Sequence, residues 1–163
     1  TGETNLIGLL VSQATGQTLS SYLSDTVWSK IGVEQDATWV LGPTEHEISG
    51  CCIQASTKDY ARFGQFVMDG AMINGESIVP EGWFAKATTK QADIGQEGRG
   101  YGHQWWTWDD GSFQGRGIFG QGIYIHPEAQ LVIAVNSSWS SAAPALEKRL
   151  RQEMYQTILS AVE

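Results

Sequence analysis

The sequence predicts an α+β fold in which antiparallel sheet strands are covered by helices. Three observations lead there. Apolar residues recur at helical spacing through the amino-terminal half; the stretch from Tyr101 to Val135 switches to aromatic and β-branched runs broken by turn residues; and the tail from Ala142 returns to helical spacing.

Taken in order, Leu6, Ile7, Leu10, Val11 and Ala14 mark a first helix, and Gly16 stands where a left-handed cap would sit. Thr18 can cap a second helix with Leu19, Tyr22, Leu23 and Val27 on one face, stopped by Gly32. Residues 34–53 show no period, and Gly42, Pro43 and Gly50 mark a loop with one short strand at most. Ser56 and Asp59 resemble a capping box for a third helix, whose buried stripe is Tyr60, Phe63, Gly64 and Val67 and which Gly70 ends. Asn74-Gly75 is a turn, and Pro80 suits the first turn of a short helix carrying Trp83 and Phe84. Three strands are then expected, over 101–108, 118–125 and 131–135. Asp109-Asp110-Gly111 and His126-Pro127-Glu128 would connect them as an antiparallel meander. Leu146, Leu150, Met154, Ile158 and Val162, spaced by four, predict a long amphipathic helix at the end.

Composition narrows the classes. The chain has 163 residues, 41% hydrophobic and 17% charged, enough for one soluble domain or part of a larger one with a core that needs no disulfide. A net charge of −8, with the ten basic residues scattered, argues against a nucleic-acid partner. No membrane span is expected, because the apolar run from Leu6 to Val11 is broken by Gly8 and is far short of the roughly twenty residues a bilayer needs. A start at Thr1, without Met or a basic segment, suggests a mature or truncated product. Cys51 and Cys52 are adjacent and cannot staple distant segments, so two reduced, buried thiols are expected.

Few motifs carry chemistry by themselves. Gly115-Arg116-Gly117-Ile118-Phe119-Gly120 matches G-x-G-x-x-G, yet a turn precedes it, a strand-like run follows it, and the acidic residue expected about twenty positions on is missing. No nucleotide site is implied. What the glycines allow is close approach, either by a neighbouring strand or by a reacting carbonyl. His46, His103 and His126 lie far apart without partners at metal-ligand spacing, so neither a metal nor another cofactor is expected. In a strand Trp105 would face one side and Trp106 and Trp108 the other, one packing in the core and another available to floor a cleft. Asn136-Ser137-Ser138 is formally a glycosylation acceptor. No G-x-S-x-G elbow occurs, and none of the five lysines has a serine three residues before it. No Tyr-x-Asn triplet is present, and the single Tyr-x-Ser, Tyr22-Leu23-Ser24, lies within the expected second helix with no Ser-x-x-Lys to serve.

Five segments, in order, nevertheless resemble the carboxy-terminal half of the penicillin-recognising serine hydrolases, the superfamily of class C β-lactamases, and most closely its branch typified by 6-aminohexanoate-dimer hydrolase. Thr1-Gly2-Glu3-Thr4-Asn5-Leu6-Ile7-Gly8 resembles the helix that follows the family's catalytic tyrosine. The run from Val27 to Trp39 is similar to a W-x-P-L-G-x-E-x-D-A-x-W stretch, with Ser29 and Lys30 as departures. The run from Ala55 to Gly64 is similar to the A-T-x-R-D-Y-A-R-F-G helix, while Tyr101 to Trp106 and Gly117 to Gln121 look like the final strands.

The resemblance implies that residues 1–163 are the carboxy-terminal portion of one hydrolase domain with a β-lactamase/transpeptidase-like fold. In that family a serine attacks an amide or ester carbonyl, a lysine three residues later and a tyrosine manage the proton, and water releases the acid. The Ser-x-x-Lys and the tyrosine would lie ahead of Thr1, so the chain alone would be inactive and its partner would be the amino-terminal part of the same hydrolase. The oxyanion is held by two backbone N–H groups, and one maps to Ile118, next to Gly117. Phe119, Gly120, Gln121 and Trp105 become candidates for the wall that binds a small amide or ester substrate. Gly117 and Gly120 would keep side chains off the substrate carbonyl, so Gly120→Trp is expected to abolish activity with little effect on the fold. Where class C relatives carry Lys-Thr-Gly, this chain has Gly115-Arg116-Gly117. The alternative is a noncatalytic module whose tryptophans stack on sugars or other flat ligands.

Overall fold

The computed structural model describes residues 2–162; Thr1 and Glu163, the ends of the expected hydrolase portion, lie outside the described residues. Two compact units divide between Phe63 and Gly64, inside the third helix.

In the first unit, α1 (Gly2–Thr15) is followed by Gly16 at a φ of 68°, the left-handed cap that was expected. Its buried residue is Gly8, where any Cβ would run into the side chain of Ser49. Leu6, Ile7 and Leu10 are exposed, so the apolar stripe does not face a core within this unit. α2 (Leu19–Thr26) is capped by Thr18, whose hydroxyl accepts from the Ser21 amide at 3.2 Å. It stops sooner than Gly32 and passes into a single 3-10 turn, Trp28–Lys30. The stretch expected to be mostly loop holds two short strands, β1 (Thr38–Trp39) and β2 (Ile53–Gln54), paired antiparallel. The Trp39 indole closes this hairpin by donating to the carbonyls of Ile48 and Cys51. Cys51 and Cys52 are joined by a disulfide and Cys51 is exposed, which corrects the expectation of two reduced, buried thiols: a bend with Cys52 at a φ of 82° brings neighbouring sulfurs together at the surface.

α3 (Thr57–Met68) begins with half of the expected capping box, since the Asp59 carboxylate meets the Ser56 hydroxyl rather than its amide. The Asp59 amide donates to the Ser56 hydroxyl at 3.0 Å, and that hydroxyl donates to the Asp59 carboxylate at 2.8 Å. Asp59 is fully buried and also accepts from the Glu34 amide and from Arg62 Nη1, each at 2.8 Å.

The second unit is built on a six-stranded antiparallel sheet rather than three strands. After the hairpin of β3 (Met72–Ile73) and β4 (Glu76–Ser77), and α4 (Trp83–Ala87), come β5 (Ala92–Asp93), β6 (Arg99–Tyr101), β7 (Trp106–Trp108), β8 (Phe113–Arg116), β9 (Gly122–His126) and β10 (Leu131–Val135). Each pairs with the next, giving the order β10-β9-β8-β7-β6-β5. The run expected as one strand over 101–108 is two, because Gln104 takes a φ of 67° and the Gly102 amide closes onto the Trp105 carbonyl at 2.8 Å. The run over 118–125 likewise starts as a turn, and β8 ahead of it had no visible period.

Both faces of the sheet are covered. On one, Gly64 of α3 comes so close that a Cβ would lie 2.5 Å from Val132 and 2.9 Å from Ile123. On the other lies α5 (Ala145–Val162), with Arg151, Tyr155 and Leu159 buried. This reverses the expected orientation of the last helix: Leu146, Leu150, Met154 and Val162 are exposed. Tyr155 decides it, since Gly122 has no side chain to block the phenol and Tyr124 offers a ring to stack on.

Candidate functional site

The candidate residues meet at the end of β8. There the Gly117 amide donates to the Gln121 carbonyl at 2.9 Å and continues the ladder toward β9. The Gly120 amide then folds back on the Gly117 carbonyl at 3.3 Å, which makes 117–120 a β-turn with Ile118 and Phe119 at its centre. Gly120 adopts a φ of 98°, open to glycine at little cost. G-x-G-x-x-G is thus strand, turn and strand, with no helix N-terminus to receive a phosphate.

Successive amides of an extended chain point to alternate sides. With Gly117 committed to β9, the Ile118 N–H is turned the other way. On that side β7 pairs with β8 only as far as Trp106 opposite Gln114, so the edge from Gly115 onward is uncovered by the sheet. The Ile118 amide donates to no described residue, and Ile118 itself is 61% exposed. Its carbonyl, by contrast, accepts from the Ala143 amide at 2.7 Å, and the Phe119 carbonyl accepts from the Trp139 amide at 3.1 Å. The turn is fixed by its acceptors while its leading donor stays free.

The other candidates divide. Trp105 flanks this end of β8: its ring packs edge-on against Phe113 at 5.2 Å, and a Cβ on Gly115 would touch it at 3.8 Å. Phe119 is exposed beside Ile118. Gln121 crosses Gly117 and donates to the Ser137 carbonyl at 3.3 Å. Gly120 is buried, and a Cβ there would lie 2.5 Å from the Trp139 indole and 2.7 Å from Ser137. Its lack of a side chain serves the contact with Trp139, which corrects the expectation that Gly120→Trp would spare the fold.

Beneath the turn, on the α5 face, lies a cationic and aromatic cluster. Arg116 stacks on Trp106 and Trp108 at 5.2 and 4.9 Å and donates through Nε to Gln114 at 3.1 Å; Gln114 in turn donates to the Tyr155 hydroxyl at 3.0 Å. Burial, with Arg151 and Arg99 nearby, pushes the Arg116 guanidinium down to about 10. Burial also lowers Arg151 and raises the Tyr155 phenol. Arg151 and the segment 137–143 were not visible as site residues, because their only signals were a charge on a helix and a formal glycosylation triplet. His103 packs against Trp83 at 5.7 Å, away from this cluster. Among the described residues no group of three or more His, Cys, Asp or Glu could hold a metal ion.

A family model described as Beta-lactamase matches residues 1–156. The chain belongs to the beta-lactamase family. A 6-aminohexanoate-dimer hydrolase of Paenarthrobacter ureafaciens is 28% identical over 147 residues, covering 83% of this chain and 38% of that protein. A solved structure named "Putative 6-aminohexanoate-dimer hydrolase from Bacillus anthracis" superposes with a TM-score of 0.87 at 30% identity, covering 99% of this chain and 43% of that one. The chain therefore spans about two fifths of the length of these relatives, and the mixed helical and antiparallel architecture is that of a beta-lactamase-like hydrolase.

Proposed function

We propose that the chain is the carboxy-terminal portion of a serine hydrolase that cleaves amide or ester bonds through an acyl-serine intermediate, and that the Ile118 N–H is one of its two oxyanion donors. The observation that carries this is the free amide: a rigidly held donor with no internal acceptor, at an uncovered strand edge, stabilises negative charge developing on a substrate carbonyl oxygen without reorganising. Phe119 and Trp105 would wall the acyl group, while Gly117 fixes the register that aims the donor. The serine, lysine and tyrosine come from polypeptide outside these 163 residues, since no Ser-x-x-Lys occurs within them.

Unit two also presents surface suited to that polypeptide. β10 ends the sheet with its outer edge unpaired by any described strand, and Leu146, Leu150 and Met154 of α5 are exposed. Stacking of sugars on tryptophan has less support: Arg116 covers Trp106 and Trp108, and Arg151 covers Trp139 at 4.8 Å.

Hydrolysis of a nitrophenyl ester by the full-length parent, compared with the 163-residue chain alone, tests the division of labour. The parent should turn over and the chain should not. Comparable turnover by the chain would refute it.

A further inference from the structure

Arg151 is 8% exposed, yet it makes no ion pair among the described residues, not even with Glu147 one turn earlier on α5. A buried cation without a carboxylate is expensive, so its contacts have to repay the loss of water. Those contacts all lead to the turn that carries Ile118. Arg151 Nη1 donates to the Gln121 carbonyl at 3.2 Å, across the ladder position that receives the Gly117 amide. Its guanidinium lies 4.8 Å from the Trp139 ring, and the Trp139 amide holds the Phe119 carbonyl while its indole backs Gly120. One side chain thus grips the return strand of the turn directly and the strap behind it by stacking, a pairing of functions that a planar guanidinium performs and an ammonium does only in part.

We infer that Arg151 is a positioning residue for the oxyanion donor, holding the turn that carries the Ile118 amide in place from the α5 side of the sheet. This rests on the assignment of Ile118 proposed above. Displacing a reacting group or donor by about 1 Å can cost on the order of a hundredfold in rate, so loss of this grip should be visible even though Arg151 touches no substrate.

The test uses the full-length parent, nitrophenyl butyrate as substrate and phenylboronic acid as an inhibitor whose anionic tetrahedral serine adduct places a boronate hydroxyl between the donors. Arg151→Met should lower kcat by at least about tenfold, leave KM within about twofold, and weaken the boronate by the same factor as kcat, because only the charged tetrahedral species needs the aimed donor. Arg151→Lys, which keeps a donor for Gln121, should lose distinctly less. A folded Arg151→Met with unchanged kcat and boronate affinity overturns the inference, as does a rise in KM alone. If Arg151→Met does not fold, Arg151→Lys and Trp139→Phe decide: full kcat and full boronate affinity in both overturn it. A wild-type parent that neither cleaves the ester nor binds the boronate refutes the hydrolase assignment itself, and the role of Arg151 with it; an active wild type with indifferent variants refutes only the latter.

Discussion

Tyr155 lies on Tyr124 with ring centroids 4.9 Å apart and planes inclined by 20°, and both side chains are buried. This stack fixes which face of α5 meets the sheet. Removing the ring by Tyr155→Ala should cost about 3 to 5 kcal/mol. Tyr155→Phe keeps the stack but leaves the buried Gln114 amide without its acceptor, a loss of about 1 to 3 kcal/mol. Urea denaturation of the two variants should rank them in that order, and a neutral Tyr155→Phe would show that Gln114 finds another partner.

The Asp59 carboxyl is held below its ordinary value of 3.8, first by the Glu34 amide and then by the Ser56 hydroxyl and Arg62. A carboxylate depressed in the folded state contributes stability that is complete above its unfolded pKa and is lost as pH falls through the folded one. The chain should therefore show constant support from Asp59 down to about pH 4 and a steady loss of it below. Asp59→Asn should lower Tm at neutral pH and flatten the acid limb of the Tm against pH curve. An acid limb of unchanged steepness in Asp59→Asn would assign the transition to other carboxylates.

Gly120 combines a φ of 98° with a Cβ direction that points into Trp139 and Ser137. Gly120→Ala should bring both a strained backbone and a steric clash, each costing about 1 to 3 kcal/mol. Stability, and the ester turnover proposed for the parent, should fall together. At Gly117 the Gln121 amide can swing away but its Cβ, 2.9 Å from the added methyl, cannot; Gly117→Ala should still be the milder change in thermal unfolding, because Gly120 and not Gly117 has a positive φ.

How much of this was legible follows the physics of each signal. Thr18, Gly16, Ser56 and Asp59 act through neighbours a few residues away, and the sequence located all of them as caps. The sheet was harder. β5 and β8 are two and four residues long, too short to show a period, and Gly115 and Arg116 do not look like strand residues until β9 supplies their partners. On α5 the regular spacing of Leu146, Leu150 and Met154 pointed to the wrong face, because burial there is set by Gly122 and Tyr124, over twenty residues away in sequence. At the candidate site, family resemblance marked the Ile118 amide. That it is free, and that Ala143, Trp139 and Arg151 hold the carbonyls of the turn that carries it, depends on contacts between distant segments.

Ile118 occupies the second position of its turn, where proline is favoured, and its N–H makes no internal hydrogen bond, so Ile118→Pro deletes the donor without removing any bond that holds the fold. Proline also requires an extended residue before it, and Gly117 continues directly from β8 into the last ladder bond. Tm of the parent should thus shift by only a few degrees. If the amide stabilises the oxyanion, kcat should fall by about 10²- to 10³-fold, the effect of losing one such donor. KM should change little, because a ground-state carbonyl gains much less from the bond than a tetrahedral anion does. A stable Ile118→Pro enzyme with full kcat would remove this amide from the mechanism. A variant that loses kcat while keeping its Tm and its KM would separate the donor from the scaffold that carries it.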